Sequence, residues 1–143
     1  MFKYEITYKD FDDVEVTETL YFHMTEAELM EMELANDGIQ RRYERAMESK
    51  DGYSIAQMMK DLILRSYGEK TSDGKRFIKT DEIRDSFKAS EAYSKFYVTL
   101  IQDEKLAAEF VRKIVPSDLA ARSEEAMKKQ NAALPKTEGV PAQ

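Results

Sequence analysis

The 143-residue chain contains no cysteine, so disulfides, thiolate nucleophiles and cysteine-ligated zinc are excluded. It has a single histidine, His23, which excludes any site built on two imidazoles. No apolar run approaches the roughly 20 residues that a membrane-crossing helix needs. The opening residues, Met1 to Tyr8, alternate apolar and polar side chains and lack the apolar core of a secretion signal. The phosphate-cradling patterns G-x-x-x-x-G-K-[ST] and G-x-G-x-x-G are absent. Lys and Arg are missing from Asp10 to Asp37, a stretch that holds ten acids. That stretch carries −10 against a net charge of −6, which leaves +4 on the rest of the chain. Contact with nucleic-acid phosphates through it would be repulsive. It suits either a solvated face or a surface for a basic partner. With 42% apolar residues, the chain still has enough to bury a core. A soluble domain in a reducing, cytosolic compartment is the expectation.

The apolar residues that are present fall into two periodicities. Phe2, Tyr4, Ile6 and Tyr8 alternate with Lys3, Glu5, Thr7 and Lys9, and the alternation resumes at Val14, Val16, Glu18, Leu20 and Phe22. Two such runs joined by Asp10-Phe11-Asp12-Asp13 predict a β-hairpin over 2–22, which needs helices on its apolar face. From Thr25 onward the period becomes helical. Thr25 and Glu28 have capping-box spacing before a helix over Glu26–Ala35 that ends at Asn36-Asp37-Gly38. That helix has two apolar stripes, Ala27/Met30/Leu34 and Leu29/Met32, separated by glutamates. Ile39, Tyr43, Ala46 and Met47 mark the next helix, with Arg41, Arg42 and Arg45 outside the stripe. Lys50-Asp51-Gly52 breaks it. Ser54 is then expected to cap a helix bearing Ile55, Met58, Met59, Leu62, Ile63 and Tyr67, with Gly68 as its left-handed C-terminal cap. Thr71-Ser72-Asp73-Gly74 reads as a turn and Phe77-Ile78 as a short extended anchor. Helices opening at Asp81, Ser90 and Asp103 follow, and Pro116 ends the last. The expectation is an α+β fold: one domain over 1–116, with the hairpin packed on about five helices over 26–115, then a flexible, partly helical tail over 117–143.

Little of this carries chemistry. Asp10, Asp12, Asp13 and Glu15 lack the frame of a calcium loop, and an aspartate-rich turn accounts for them. His23 stands at a strand-to-helix junction, where a structural role is expected. Lys70, Lys75, Arg76 and Lys79 surround Asp73-Gly74 and Phe77, which fits a charged turn better than a phosphate site in so acidic a chain. No catalytic residue, metal ligand or cofactor site stands out. Six of the eight methionines lie between positions 24 and 59. Thioethers fill cores and also suit surfaces that must fit varied apolar partners.

The order of several phrases resembles the tail assembly chaperones of long-tailed, siphovirus-like bacteriophages. These are Glu28-Leu29-Met30-Glu31-Met32-Glu33-Leu34, Ser66-Tyr67-Gly68-Glu69-Lys70, Asp73-Gly74-Lys75-Arg76-Phe77-Ile78-Lys79 and Glu91-Ala92-Tyr93-Ser94. The resemblance spans residues 1 to 116. It implies a non-enzymatic protein of the host cytoplasm, absent from the finished virion. Such a protein binds the helical tape measure protein and keeps it soluble while tail-tube subunits polymerise around it. The resemblance also implies that many such proteins have a second, longer, frameshifted form. Tail-tube protein as a further partner and self-association stay open; a membrane and nucleic acid are not expected. An apolar groove between the 26–35 and 54–67 helices, with Leu29, Met30, Met32, Met58 and Met59 as contacts, is the expected client site. The competing reading is an acidic inhibitor or DNA mimic that occupies a basic host protein.

Overall fold

The structure, a computed structural model, describes residues 1–35, 39–49 and 51–115. The expected stop at Asn36-Asp37-Gly38, Lys50, the Pro116 terminus and the tail over 117–143 lie outside the described residues. So do the side chains of Ile39, Tyr43 and Met47.

Period-two alternation produces the hairpin as expected. Strands β1 (Phe2–Lys9) and β2 (Glu15–Phe22) pair antiparallel from Phe2↔Phe22 to Lys9↔Glu15. This register puts Phe2, Tyr4, Ile6 and Tyr8 on one face with Phe22, Leu20, Glu18 and Val16. The turn is closed by Asp10, whose Oδ1 accepts from the amides of Asp12 (2.9 Å) and Val14 (3.0 Å). Asp13 sits at φ 60°, a left-handed conformation that aspartate tolerates. The Asp10 amide bonds the Val14 carbonyl, so even-numbered residues of β1 direct their backbone groups at β2. Lys3, Glu5, Thr7 and Lys9 turn theirs to the outer edge of the sheet. There the Lys95 ammonium donates to the Thr7 carbonyl.

Helices α1 (Glu26–Ala35), α2 (Ile39–Ser49) and α3 (Gly52–Ser66) follow. The next segment departs from expectation. Gly68 is not a left-handed cap. Helix α3 ends at Ser66; its cap, Tyr67, is already extended at φ −68° and ψ 138°, and the chain runs directly into β3 (Tyr67–Lys70). β3 pairs with β2 through Tyr21↔Gly68 and with β4 (Phe77–Ile78) through Glu69↔Ile78, making a four-stranded antiparallel sheet in the order β1-β2-β3-β4, with α1 to α3 inserted between β2 and β3. Glycine is required at 68 for close approach: a Cβ there would lie 2.7 Å from Lys79 Cγ and Phe77 Cε2, and 2.8 Å from the Ile78 carbonyl oxygen. Gly74, at φ 74°, is the left-handed residue, in the turn between β3 and β4. Helices α4 (Asp81–Lys88), α5 (Glu91–Gln102) and α6 (Glu104–Ile114) bring the helix count among described residues to six. They are capped by Thr80, Ser90 and Asp103 respectively.

The helices cover the apolar face of the sheet. Phe22 stacks on Phe96 at 4.7 Å and meets Phe110 edge-on at 5.4 Å; Phe2 meets Phe110 at 5.2 Å. Tyr67 stacks on Phe87 at 3.7 Å. Leu20, Leu62, Ile63, Leu100 and Ile114 complete a core that ties β1 and β2 to α3, α5 and α6. No helix among the described residues is long and apolar enough to cross a membrane.

Candidate functional site

Helix α1 begins with the expected capping box. The Thr25 hydroxyl accepts from the Glu28 amide (3.2 Å), and Glu28 Oε1 accepts from the Thr25 amide (2.9 Å). The other carboxylate oxygen of Glu28 lies 2.6 Å from Lys79 Nζ, which also donates to the His23 carbonyl (3.0 Å). The Lys79 side chain is only 12% exposed, so this basic residue closes an internal joint between α1 and the end of β2. Burial alone would raise the Glu28 pKa, but the Lys79 ammonium and the Thr25 donors outweigh it and hold the carboxyl below its ordinary value. His23 is placed edge-on to Phe77 with Nδ1 buried and without a hydrogen-bond partner. Burial, then the positive charges of the N-terminus and Lys79, push its pKa down, which disfavours the charged ring.

Beside this joint, one stripe of α1 faces inward. Leu29, 3% exposed, enters the core, with Met32 beside it half-buried. Ala27 and Leu34 face solvent, Leu34 at 48% exposure, and Met30 lies on the rim, packed against the core. On α3, Met58 and Met59 are 5% and 3% exposed. Of the five residues singled out from the sequence, Met30 and Met32 are half-buried, while Leu29, Met58 and Met59 are buried.

The groove is also placed differently from the expectation. Between α1 and the C-terminal end of α3 there is a small polar cleft of about 190 Å³, lined by Met24, Glu28, Glu31, Met32, Arg65 and Arg84. The larger opening, about 630 Å³, lies between α2 and α3 because α2, not α1, runs along α3. Met58 and Ala46 form its floor; Arg42, Arg45, Ser49, Tyr53, Gln57 and Asp61 form its walls. Asp51, rather than Ser54, caps α3 and fixes the corner between the two helices. Its carboxylate accepts from the Tyr53 amide (3.1 Å) and the Ser54 hydroxyl (2.7 Å), which lower its pKa. The cap leaves Tyr53 standing at the mouth of the groove, 72% exposed. Asp61 is held by Arg65 (2.9 Å) and lies 4.0 Å from Arg42 across the groove. The signal that could have found this wall is the arginine set at 41, 42 and 45 on the polar face of α2.

Apolar side chains exposed elsewhere include Phe11, 75% exposed, and Val14 at the hairpin tip, and Val98 and Ile101 on α5. The basic turn at 70–79 is internally bonded: Asp73 accepts from the Thr71 hydroxyl (2.6 Å) and the Lys75 amide (3.0 Å). Among the described residues, no three His, Asp or Glu side chains converge as a metal-binding set. An open groove with an apolar floor and charged walls is suited to seating a side chain or a helix of another protein.

In comparison with known proteins, the family model for phage tail assembly chaperones matches residues 1–143. No curated protein and no solved structure matches the chain.

Proposed function

Because the chain belongs to the phage tail assembly chaperone family, we propose that it binds the tape measure protein and keeps it soluble in the host cytoplasm during tail assembly. The match over the whole chain carries this reading. The groove between α2 and α3 supports it by supplying an opening in which an amphipathic client helix can bury apolar side chains against Met58 and Ala46. Tyr53 at the mouth adds an amphipathic ring of the kind enriched where protein partners meet. The partly buried Met30 and Met32 extend the client surface onto α1. Leu29 and Met59 support it from within. The role is one of binding alone.

The test is co-expression of tape measure fragments with the chaperone, followed by measurement of the soluble fraction. Wild type should raise that fraction for at least one apolar helical fragment, and Tyr53→Asp, which changes an exposed side chain, should lower it at least fivefold. Binding through an apolar floor should survive a rise in salt. If no fragment gains solubility, the tape measure reading fails. Capture of a basic host protein that is released by salt would favour the acidic-mimic reading instead.

A further inference from the structure

Resting on the client-binding reading above, we propose that the α2–α3 groove selects client helices in which a bulky apolar side chain has an aspartate or glutamate one turn away. The groove is graded from end to end. Its α3 wall runs from Tyr53 to Asp61, about 12 Å at 1.5 Å per residue, which matches about two turns of a client helix. At the corner between α2 and α3 the lining is uncharged, with Ser49, Tyr53 and Ser54. The far end holds the charge. Both carboxylate oxygens of Asp61 accept from Arg65 Nε, each at 2.9 Å, while Arg42 lies 4.0 Å from Asp61 with its side chain 46% exposed. Arg65 thus answers most of the Asp61 charge, and Arg42 is the more weakly paired cation.

Met58 precedes Asp61 by three residues, so the floor lies about one helical turn from the Arg42 end. A client side chain seated on Met58 and Ala46, against the Tyr53 ring, places a residue of the adjoining client turn beside Arg42. A carboxylate there completes an alternating row of Arg65, Asp61, Arg42 and client, in which every neighbour is attractive. An ammonium at the same place would meet Arg42 as a like charge, and the carboxylate that would attract it is already held by Arg65. This preference runs against the field of the whole chain, which at a net charge of −6 favours cationic partners. It is therefore a property of the groove and not of overall charge. Arg45 already has an interaction of its own and is not needed for it. Salt should narrow the preference without abolishing binding, because the anchor is apolar.

The probes are three peptides of about 18 residues, long enough to form helix in water. They share a central leucine and, through compensating charges near their ends, the same net charge. Glutamate, glutamine or lysine stands one turn from the leucine on both sides. Fluorescence anisotropy with the full chain should show the glutamate peptide binding about tenfold more tightly than the lysine peptide, with glutamine between them. Arg42→Gln should level the three, and Arg42→Glu should invert the order. Circular dichroism checks that each variant is folded; if Arg42→Glu is not, Arg42→Gln alone decides. The proposal is overturned if wild type binds the three alike or favours lysine, if the preference persists in Arg42→Gln, or if no peptide binds at millimolar concentration. Its failure is distinct from that of the tape measure reading. Tape measure fragments made soluble by a chain that shows no peptide preference would sink this inference alone. A clear preference in a chain that solubilises no tape measure fragment would sink only the identity of the client.

Discussion

Replacing Leu29 with alanine should release α1 while leaving the rest of the molecule folded. Leu29 is the one fully buried side chain among those described in this helix. Its other anchors are weaker: half-buried Met30 and Met32, the Thr25–Glu28 box, and the Glu28–Lys79 pair. A buried leucine contributes about 2 kcal/mol, a partly exposed ion pair no more than about 1, and a cap about 1. Large-to-small changes cost about 2–5 kcal/mol in cores, and the lower end applies here because a peripheral helix can settle into the space. A loss of about 2 kcal/mol corresponds to a roughly 30-fold rise in the open population of α1. Hydrogen exchange read by mass spectrometry should show that acceleration in the α1 amides. Amides of β2, α5 and α6, around the Phe22–Phe96 stack, should change by less than about twofold. Uniform acceleration across the molecule would refute the reasoning, because α1 would then unfold only with the core. Unchanged α1 exchange would refute it from the other side, by showing that Leu29 does not hold the helix.

Two further predictions separate causes that look alike in the sequence. Gly68→Ala should cost about 1–3 kcal/mol in urea titration, and Gly68→Asn more, since both force side-chain atoms onto the Ile78 carbonyl. Gly74 should behave oppositely, with Asn tolerated better than Ala, because only its positive φ must be satisfied and its surroundings are open. Glu28 has a depressed folded-state pKa, so its contribution is present above the ordinary glutamate value near 4.5 and is lost as pH falls through the lower folded value. Glu28→Gln should therefore flatten the acid limb of a stability–pH curve and lower stability near pH 7 by about 0.5–1 kcal/mol. An acid limb unchanged by the substitution would show that Lys79 does not engage the carboxylate in solution.

The hairpin was legible because one face of each strand is nearly all apolar, Glu18 being the exception, which fixes the register from Phe2↔Phe22 outward. Thr25, Ser90 and Asp103 were legible as caps because each stands immediately before an apolar helical period. Ser54 misled because Asp51, three residues earlier, offers the stronger acceptor, and the Ser54 hydroxyl donates to it instead. Gly68 misled for a related reason. A glycine after an apolar helix has the same appearance whether it caps the helix or admits a neighbouring strand, and only the position of β4 distinguishes the two. The inward stripe of α1 could not be read from its own residues, since both stripes are apolar; the burial of Leu29 and the Glu28–Lys79 pair both depend on residues distant in sequence. The α2–α3 groove was hidden because its walls are polar side chains that resemble an ordinary solvated face until a neighbouring helix runs alongside.

The outer side of β1 bears on how concentrated this protein can become. Its outward amides and carbonyls are what any stray extended segment would bind in order to lengthen the sheet. Lys95 already occupies the Thr7 carbonyl, and Lys3, Glu5 and Lys9 place charges of both signs along the same row. An incoming strand would have to dislodge an ammonium and desolvate those charges before gaining its first hydrogen bonds. Strand addition at this edge is therefore opposed, which lowers the tendency of β1 to template a growing sheet.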